Sequence, residues 1–295
     1  MKKIILSGLL SLMATTGLTS VAEATTCSIS GSIDFAYTGA IETCTVSQAG
    51  LYGVTAVGGW QYIYYANAKG DVSLSSGEII SIIVGSEPVN KVSVDGYGYT
   101  TGAGGSFVFQ GSGSGATPLI VAGGSGGWGY GNPGTTASVT TSGTAGGAGG
   151  GAGGVNGGNG VNSYGQGGEG YLAILATPTP AGGVFGGGGN GNASGYGSGG
   201  GGGGYSGGGG GYSDFNGGGG GSFVISTATN ASIGIISGQT TYGNGSVDFA
   251  LINATASSPP SSVPEPGAIA VFASAIAGLV FARFWMKRRK TQACE

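Results

Sequence analysis

Between Gly102 and Gly221 the chain carries 53 glycines in 120 residues, a density that restricts its folded states more than any other feature. Glycine loses more backbone entropy on ordering than any other residue and has no side chain to bury. Such a tract is therefore either a flexible spacer or it orders in a way closed to other residues. Threefold extended helices of the polyproline II type offer that second state. They have no internal hydrogen bonds, so bare backbones can lie side by side and bond laterally. The strict Gly-X-Y period of collagen is absent. Each lateral bond contributes a net stabilisation of only about 1 kcal/mol, so ordering requires a scaffold at both ends of the tract.

The flanks read as that scaffold. Alternation in Tyr52-x-Val54-x-Ala56 and Val92-x-Val94 marks antiparallel strands. Short strands are expected over Ile29 to Tyr37, Ile41 to Val46, Tyr52 to Val57, Val72 to Leu74, Ile79 to Val84 and Val89 to Val94. Within the tract, the runs 106–109, 118–122 and Tyr171 to Leu175 read as embedded strands, which a solvated spacer does not need. The Ser, Lys and Glu enrichment of disordered chains is also missing. Ser222-Phe223-Val224-Ile225 nearly repeats Ser106-Phe107-Val108-Phe109, and a last strand, Val247 to Leu251, is expected to follow a turn at Asn244-Gly245. No segment has a convincing helical period, so the body is expected to be all-β, a sandwich or jelly roll. Residues 25–101 form its first part, 102–221 an insertion with embedded strands, 222–253 the closing strands and 254–262 a linker.

Four blocks carry a family resemblance. They are Gly104 to Phe109, Pro118-Leu119-Ile120-Val121-Ala122-Gly123-Gly124, Gly199 to Gly211 with its central Tyr205-Ser206, and Gly217 to Val224. Together they resemble the glycine-rich domain of the anaplastic lymphoma kinase and leukocyte tyrosine kinase ectodomains. The opening Phe35-x-Tyr37-Thr38-Gly39 and Gly50-Leu51-Tyr52-x-Val54 resemble the start of bacterial members. The similarity covers roughly residues 30 to 252 and implies a TNF-like β sandwich with a long insertion of packed polyglycine helices. In those receptors the domain contributes to cytokine binding. No kinase follows here and no ligand residues transfer, so what carries over is a fold and a general role in binding or display.

The two ends of the chain read as addresses. Lys2 and Lys3 precede an apolar stretch from Ile4 to Leu18, and Ala22-Glu23-Ala24 supplies a small-x-small cleavage pattern, which makes residues 1–24 a signal peptide for Sec export and signal peptidase. At the other end, Val263-Pro264-Glu265-Pro266 is held extended by its prolines. An uncharged run from Gly267 to Ala282 follows, and continued through Met286 it gives about 30 Å of helix, one membrane span, with Arg283 snorkelling to the interface. Lys287, Arg288, Arg289 and Lys290 close the element, leaving a cytoplasmic tail at 291–295. An extended Pro-Glu-Pro, one span (267–286) and a basic end, in that order over residues 263–290, resemble the PEP-CTERM sorting signal of Gram-negative bacteria. The resemblance implies export, temporary anchoring in the inner membrane and processing by exosortase, with Val263, Pro264, Glu265, Pro266, Arg283, Arg288 and Arg289 as the signal. It also implies a biofilm or exopolysaccharide-associated destination at the cell surface or in the extracellular matrix. The alternative is an ordinary membrane anchor with prolines in its stalk.

Seven of the nine cations lie in those two ends. Between Thr25 and Ser262 only Lys69 and Lys91 face nine carboxylates, and no Lys or Arg occurs between Lys91 and Arg283. Nucleic-acid partners, which need clustered cations along a phosphate backbone, are thereby excluded. Cys27 and Cys44 are the only thiols of that body. In an oxidising compartment they suggest one disulfide, stabilising by about 3 kcal/mol; two unpaired buried thiols are the alternative. The chain has no His, which removes Ser-His-Asp and Cys-His catalysis and the usual metal triads. The scattered carboxylates form no tight motif, so no catalytic residue, metal or cofactor is expected. The reading is a non-enzymatic exported protein. Its competitor is an adhesin or carbohydrate-binding module that uses Tyr196, Tyr205 and Tyr212 around the glycine bundle as stacking surfaces.

Overall fold

A computed structural model describes residues 25–27, 32–62, 64–92, 95–193, 197–237 and 241–255. The chain forms two units, Met1–Ala254 and Thr255–Glu295, and every described strand belongs to the first. In chain order these are β1 (Thr25–Cys27), β2 (Ser32–Phe35), β3 (Glu42–Val46), β4 (Gly50–Val57), β5 (Trp60–Gln61), β6 (Tyr64–Leu74), β7 (Ile79–Ile83) and β8 (Asn90–Val92). They are followed by β9 (Gly98–Thr100), β10 (Ser106–Gln110), β11 (Thr117–Ala122), β12 (Phe223–Val224), β13 (Thr229–Ser237), β14 (Tyr242–Gly243) and β15 (Ser246–Ala254). The fold is predominantly β; one helix, α1 (Tyr171–Ile174), and a single 3₁₀ turn, Gly113–Gly115, are the helical elements among the described residues.

Two sheets share one apolar layer. A six-stranded sheet runs β1-β3-β7-β10-β11-β12, and a five-stranded sheet runs β13-β6-β4-β15-β2. Tyr52, Val54, Phe249 and Val247 from the second meet Ile80, Ile82, Val108 and Ile120 from the first. Neighbours pair antiparallel except β1 and β3, which run parallel. Strand β4 alternates buried and half-buried along its whole length, the pattern of a sheet with one face on the core. Strands β7, β10 and β11 are buried almost continuously. Their second face is covered as well: Ile83, Phe107, Phe109 and Val121 pack against Ile174 and Phe185 of the glycine-rich tract. Two of the apolar runs that the sequence embeds in the tract, 106–109 and 118–122, therefore form inner strands of a sheet buried on both sides.

The tract leaves this sheet at Ala122 and rejoins it at Phe223, where Val121 and Phe223 are paired. Inside it, Gly199 to Gly204 runs through the middle of a backbone lattice. Gly199 and Gly202 donate to the carbonyls of Phe215 and Gly218 (3.0 and 2.8 Å), and Gly200 and Gly203 donate to Thr100 and Ala103 (3.1 and 3.0 Å). Gly201 and Gly204 donate to Gln166 and Glu169 (2.9 and 3.2 Å). A β-ladder returns to the same neighbour every second residue; here the return comes every third, as an extended threefold helix requires. The carbonyls obey the same period. Those of Gly199 and Gly202 accept from Gly211 and Gly208, those of Gly200 and Gly203 from Gly127 and Gly124, and that of Gly201 from Gly189. One glycine segment thus bonds to six surrounding segments. A Cβ on Gly201 would overlap the Gly208 carbonyl oxygen, and one on Gly202 the Gly124 carbonyl oxygen. The absent side chain is what lets the backbones approach this closely.

Serines end the glycine runs with a repeated contact. The fully buried hydroxyls of Ser106, Ser206 and Ser222 accept from the N–H groups of Gly85, Gly157 and Gly123, each at 3.0 Å. The near-repeat of Gly-Ser-Phe-Val at 105 and 221 is the same solution used twice, at β10 and β12.

Three expectations fail. Tyr171 to Leu175 is helical through Tyr171–Ile174 instead of extended, because a single turn seats Ile174 under the six-stranded sheet while Leu172 faces solvent. Asn244-Gly245 is not a hairpin turn: β14 pairs with β5, and Gly245 donates to the Gly85 carbonyl (2.8 Å) while Asn244 Oδ1 accepts from the Glu87 N–H (2.8 Å). Strand β6 begins at Tyr64, well before Val72, and carries the unforeseen edge strand β13.

Asp248 of β15 sits opposite Asp34 of β2. Burial raises its pKa, and the like charge of Asp34 raises it further, against a hydrogen bond from the Phe249 N–H. An acid whose folded pKa is raised binds more protons folded than unfolded, so stability falls as pH rises from the ordinary carboxylate range through the raised value. Asp248→Asn is expected to gain about 0.5 kcal/mol at pH 7, the scale of a partly solvated charge pair. The gain should vanish near pH 3, as read from urea midpoints at the two pH values; an equal gain at both would remove the electrostatic cause.

Candidate functional site

The residues at which the sequence placed function are scattered or lie outside the described residues. Val263, Pro264, Glu265, Pro266, Arg283, Arg288, Arg289 and Tyr196 are among the latter, as is the expected span 267–286. Among the described residues no helix is long and apolar enough to cross a membrane. Cys44 is buried and disulfide-bonded. Strand β1, which carries Cys27, lies alongside β3, which carries Cys44, with Thr25 opposite Cys44. Tyr205 is not a surface platform: its ring is stacked between Tyr171 and Phe223, with centroids 4.7 and 4.5 Å away. Tyr212 is exposed and meets Tyr164 edge-on at 4.9 Å. Among the described residues no three of His, Cys, Asp and Glu gather to hold a metal ion.

Aromatic side chains converge elsewhere. A cleft of about 320 Å³ opens between the β5–β14 and β8–β9 ribbons and the loop after β11. Tyr62, Trp128 and Tyr242 form one wall: the Tyr62 ring meets Trp128 edge-on at 5.7 Å and Tyr242 at 4.9 Å. Tyr97 and Tyr130, edge-on at 4.5 Å, form the other. Tyr62 holds a left-handed backbone (φ 54°), a conformation disfavoured for a bulky residue.

Gln61 organises the floor. It is 5% exposed, and its Oε1 accepts from Thr100 Oγ1 and from the Trp128 N–H, both at 3.1 Å. Its Nε2 donates to the Tyr242 hydroxyl (3.3 Å), which donates in turn to Asn90 Oδ1 (2.9 Å). Burial pushes the Tyr242 phenol above its ordinary value; the hydrogen bond it receives from Gln61 opposes the rise and the Tyr62 phenol adds to it. Burial likewise raises Tyr99 at the back of the cleft. Tyr242 and Tyr99 therefore stay neutral at physiological pH, and among the described residues no charged side chain lines the cleft. Lys91, next to Asn90, points its Nζ to the Gly182 carbonyl (2.7 Å) and Asn190 Oδ1 (2.5 Å). It ties β8 to the tract and lines none of the cleft.

No protein-family model matches the chain, and no curated protein does. Sequence reasoning missed the cleft because Tyr62, Tyr97, Trp128, Tyr130 and Tyr242 come from four separate segments. The available signals were two local clusters, Trp60-Gln61-Tyr62-x-Tyr64-Tyr65 and Trp128-Gly129-Tyr130.

Proposed function

We propose that this chain is an exported, non-enzymatic protein of the cell surface or extracellular matrix. Exported by the Sec machinery and cut by signal peptidase, it is anchored in the membrane by residues 267–286 and handed to exosortase through its Pro264-Glu265-Pro266 signal. Its body is a TNF-like β sandwich, arranged as a jelly roll, around a block of polyglycine helices, and its place is among exopolysaccharide. The observation that carries this reading is the disulfide at buried Cys44, since disulfides persist in oxidising compartments outside the cytoplasm; Cys27 is its proposed partner. The hydrogen-bonded lattice supports a structural role, because its bonds run between backbones and need no charge.

The decisive measurement is the intact mass and cell fraction of the mature protein in cells with and without exosortase. The expected mature form lacks residues 1–24 and the segment after the Pro-Glu-Pro signal, and in cells without exosortase the protein stays in the inner membrane. Retention of Arg283 to Glu295 in the mature form would show that the tail is only an anchor.

A further inference from the structure

We infer that the cleft walled by Tyr62, Trp128, Tyr242, Tyr97 and Tyr130 is a binding site for a neutral saccharide. This is a different place from the tyrosines of the glycine bundle, and it stands independently of the sorting signal.

The chemistry of the lining selects the ligand class. Aromatic faces carry negative charge density, and the C–H bonds on one face of a pyranose present weak positive charge to them. Tyr62, Tyr97 and Tyr130 are each more than a third exposed although they belong to aromatic pairs. All three line the cleft, so this exposed ring surface meets what enters it. Between the walls stand groups that both give and take hydrogen bonds, the phenols and the amide of Asn90, and these match hydroxyls that do the same. Among the described residues, Lys, Arg, Asp and Glu are absent from the lining, which speaks against phosphates, nucleotides and acidic sugars. A proline-rich peptide would also lie on aromatic rings, but its carbonyls call for dedicated N–H donors. Here the backbone N–H of Trp128 is already bonded to Gln61 and Thr100 and does not serve as one. The volume, about 320 Å³, falls at the lower end of ordinary small-ligand sites, about 300–1,000 Å³. The site thus accommodates the end or a short stretch of a glycan.

Preorganisation points the same way. The left-handed backbone at Tyr62 is a strained conformation of the kind retained where the surroundings fix a functional side chain. Gln61, one residue earlier, is anchored from three sides by Tyr242, Thr100 and Trp128. The walls are set before a ligand arrives, which lowers the entropy lost on binding.

The test follows, by calorimetry and tryptophan fluorescence, the full-length protein in detergent micelles titrated first with a proline-rich peptide and then, separately, with cellohexaose, maltohexaose and chitohexaose. Saturable binding of at least one of the sugars is expected. Tyr62→Asn, which tolerates the left-handed backbone and removes the ring, should weaken it about tenfold or more, the scale of one lost stacking contact. The pair Tyr97→Ala and Tyr130→Ala on the opposite wall should do the same, so the proposal stays testable if Tyr62→Asn perturbs folding. Tyr212→Ala, outside the cleft, should leave affinity unchanged. No saturation by any of the three sugars would overturn the assignment, as would equal affinity in all variants, or saturation only by a proline-rich peptide. None of these outcomes alters the mass and fractionation result, so failure here and failure of the sorting reading remain distinguishable.

Discussion

Gly202→Ala is expected to unfold the tract and with it much of the body, at a cost of about 3 kcal/mol or more. The added methyl lands on the Gly124 carbonyl oxygen. That oxygen belongs to a segment held in place by its own bonds to Gly203 and Gly220. Relief would require moving a neighbour that is itself surrounded, so the strain spreads over several lateral bonds. The same substitution at Gly115, exposed in the 3₁₀ turn with nothing near its missing Cβ, should be neutral or stabilise by about 0.4–1 kcal/mol through a less flexible unfolded chain. Urea midpoints of the two variants measure the contrast, with amide exchange over 199–211 reporting on the lattice itself. Equal midpoints would mean that the glycines are a spacer after all.

The second large effect is expected at Phe107. Its ring is fully buried beside Phe109 (5.7 Å, near-parallel) and packs in the cluster that joins the six-stranded sheet to Ile174 and Phe185 of the tract. Phe107→Ala should cost about 3–5 kcal/mol, the range for a large aromatic removed from a core. Leu172→Ala, on the solvent side of α1, should stay within about 0.5 kcal/mol. Because the cluster draws on both sheet and tract, Phe107→Ala should shift one common unfolding transition seen by tyrosine fluorescence and by circular dichroism. A tract that melted apart from the sheet would contradict the shared core.

These two sites show what the sequence makes legible. The strands at Ser106 and Thr117 announce themselves as apolar runs, since a sheet covered on both faces needs no alternation. The order of the tract can be argued because those runs bracket glycine with a scaffold. Strand β6 is harder to see: Asn67-Ala68-Lys69-Gly70-Asp71 has poor strand formers at its solvated positions, and it is held by β4 and β13 on either side. The cleft is least legible. Tyr242 reaches it only because β14 pairs with β5 across a long stretch of chain. Tyr205, an attractive surface residue by composition, is instead a spacer between Tyr171 and Phe223.

The three-residue rotation of hydrogen bonds around Gly199 to Gly204 has a mechanical consequence. A hairpin pulled from its open end breaks its ladder one rung at a time. A threefold segment pulled along its axis loads bonds to several neighbours together and in shear, since each successive residue grips a different segment. A protein that holds on to a surface while the surroundings drag at it would meet that load in its backbone lattice, with the stiffness coming from the residue type usually chosen to make chains slack.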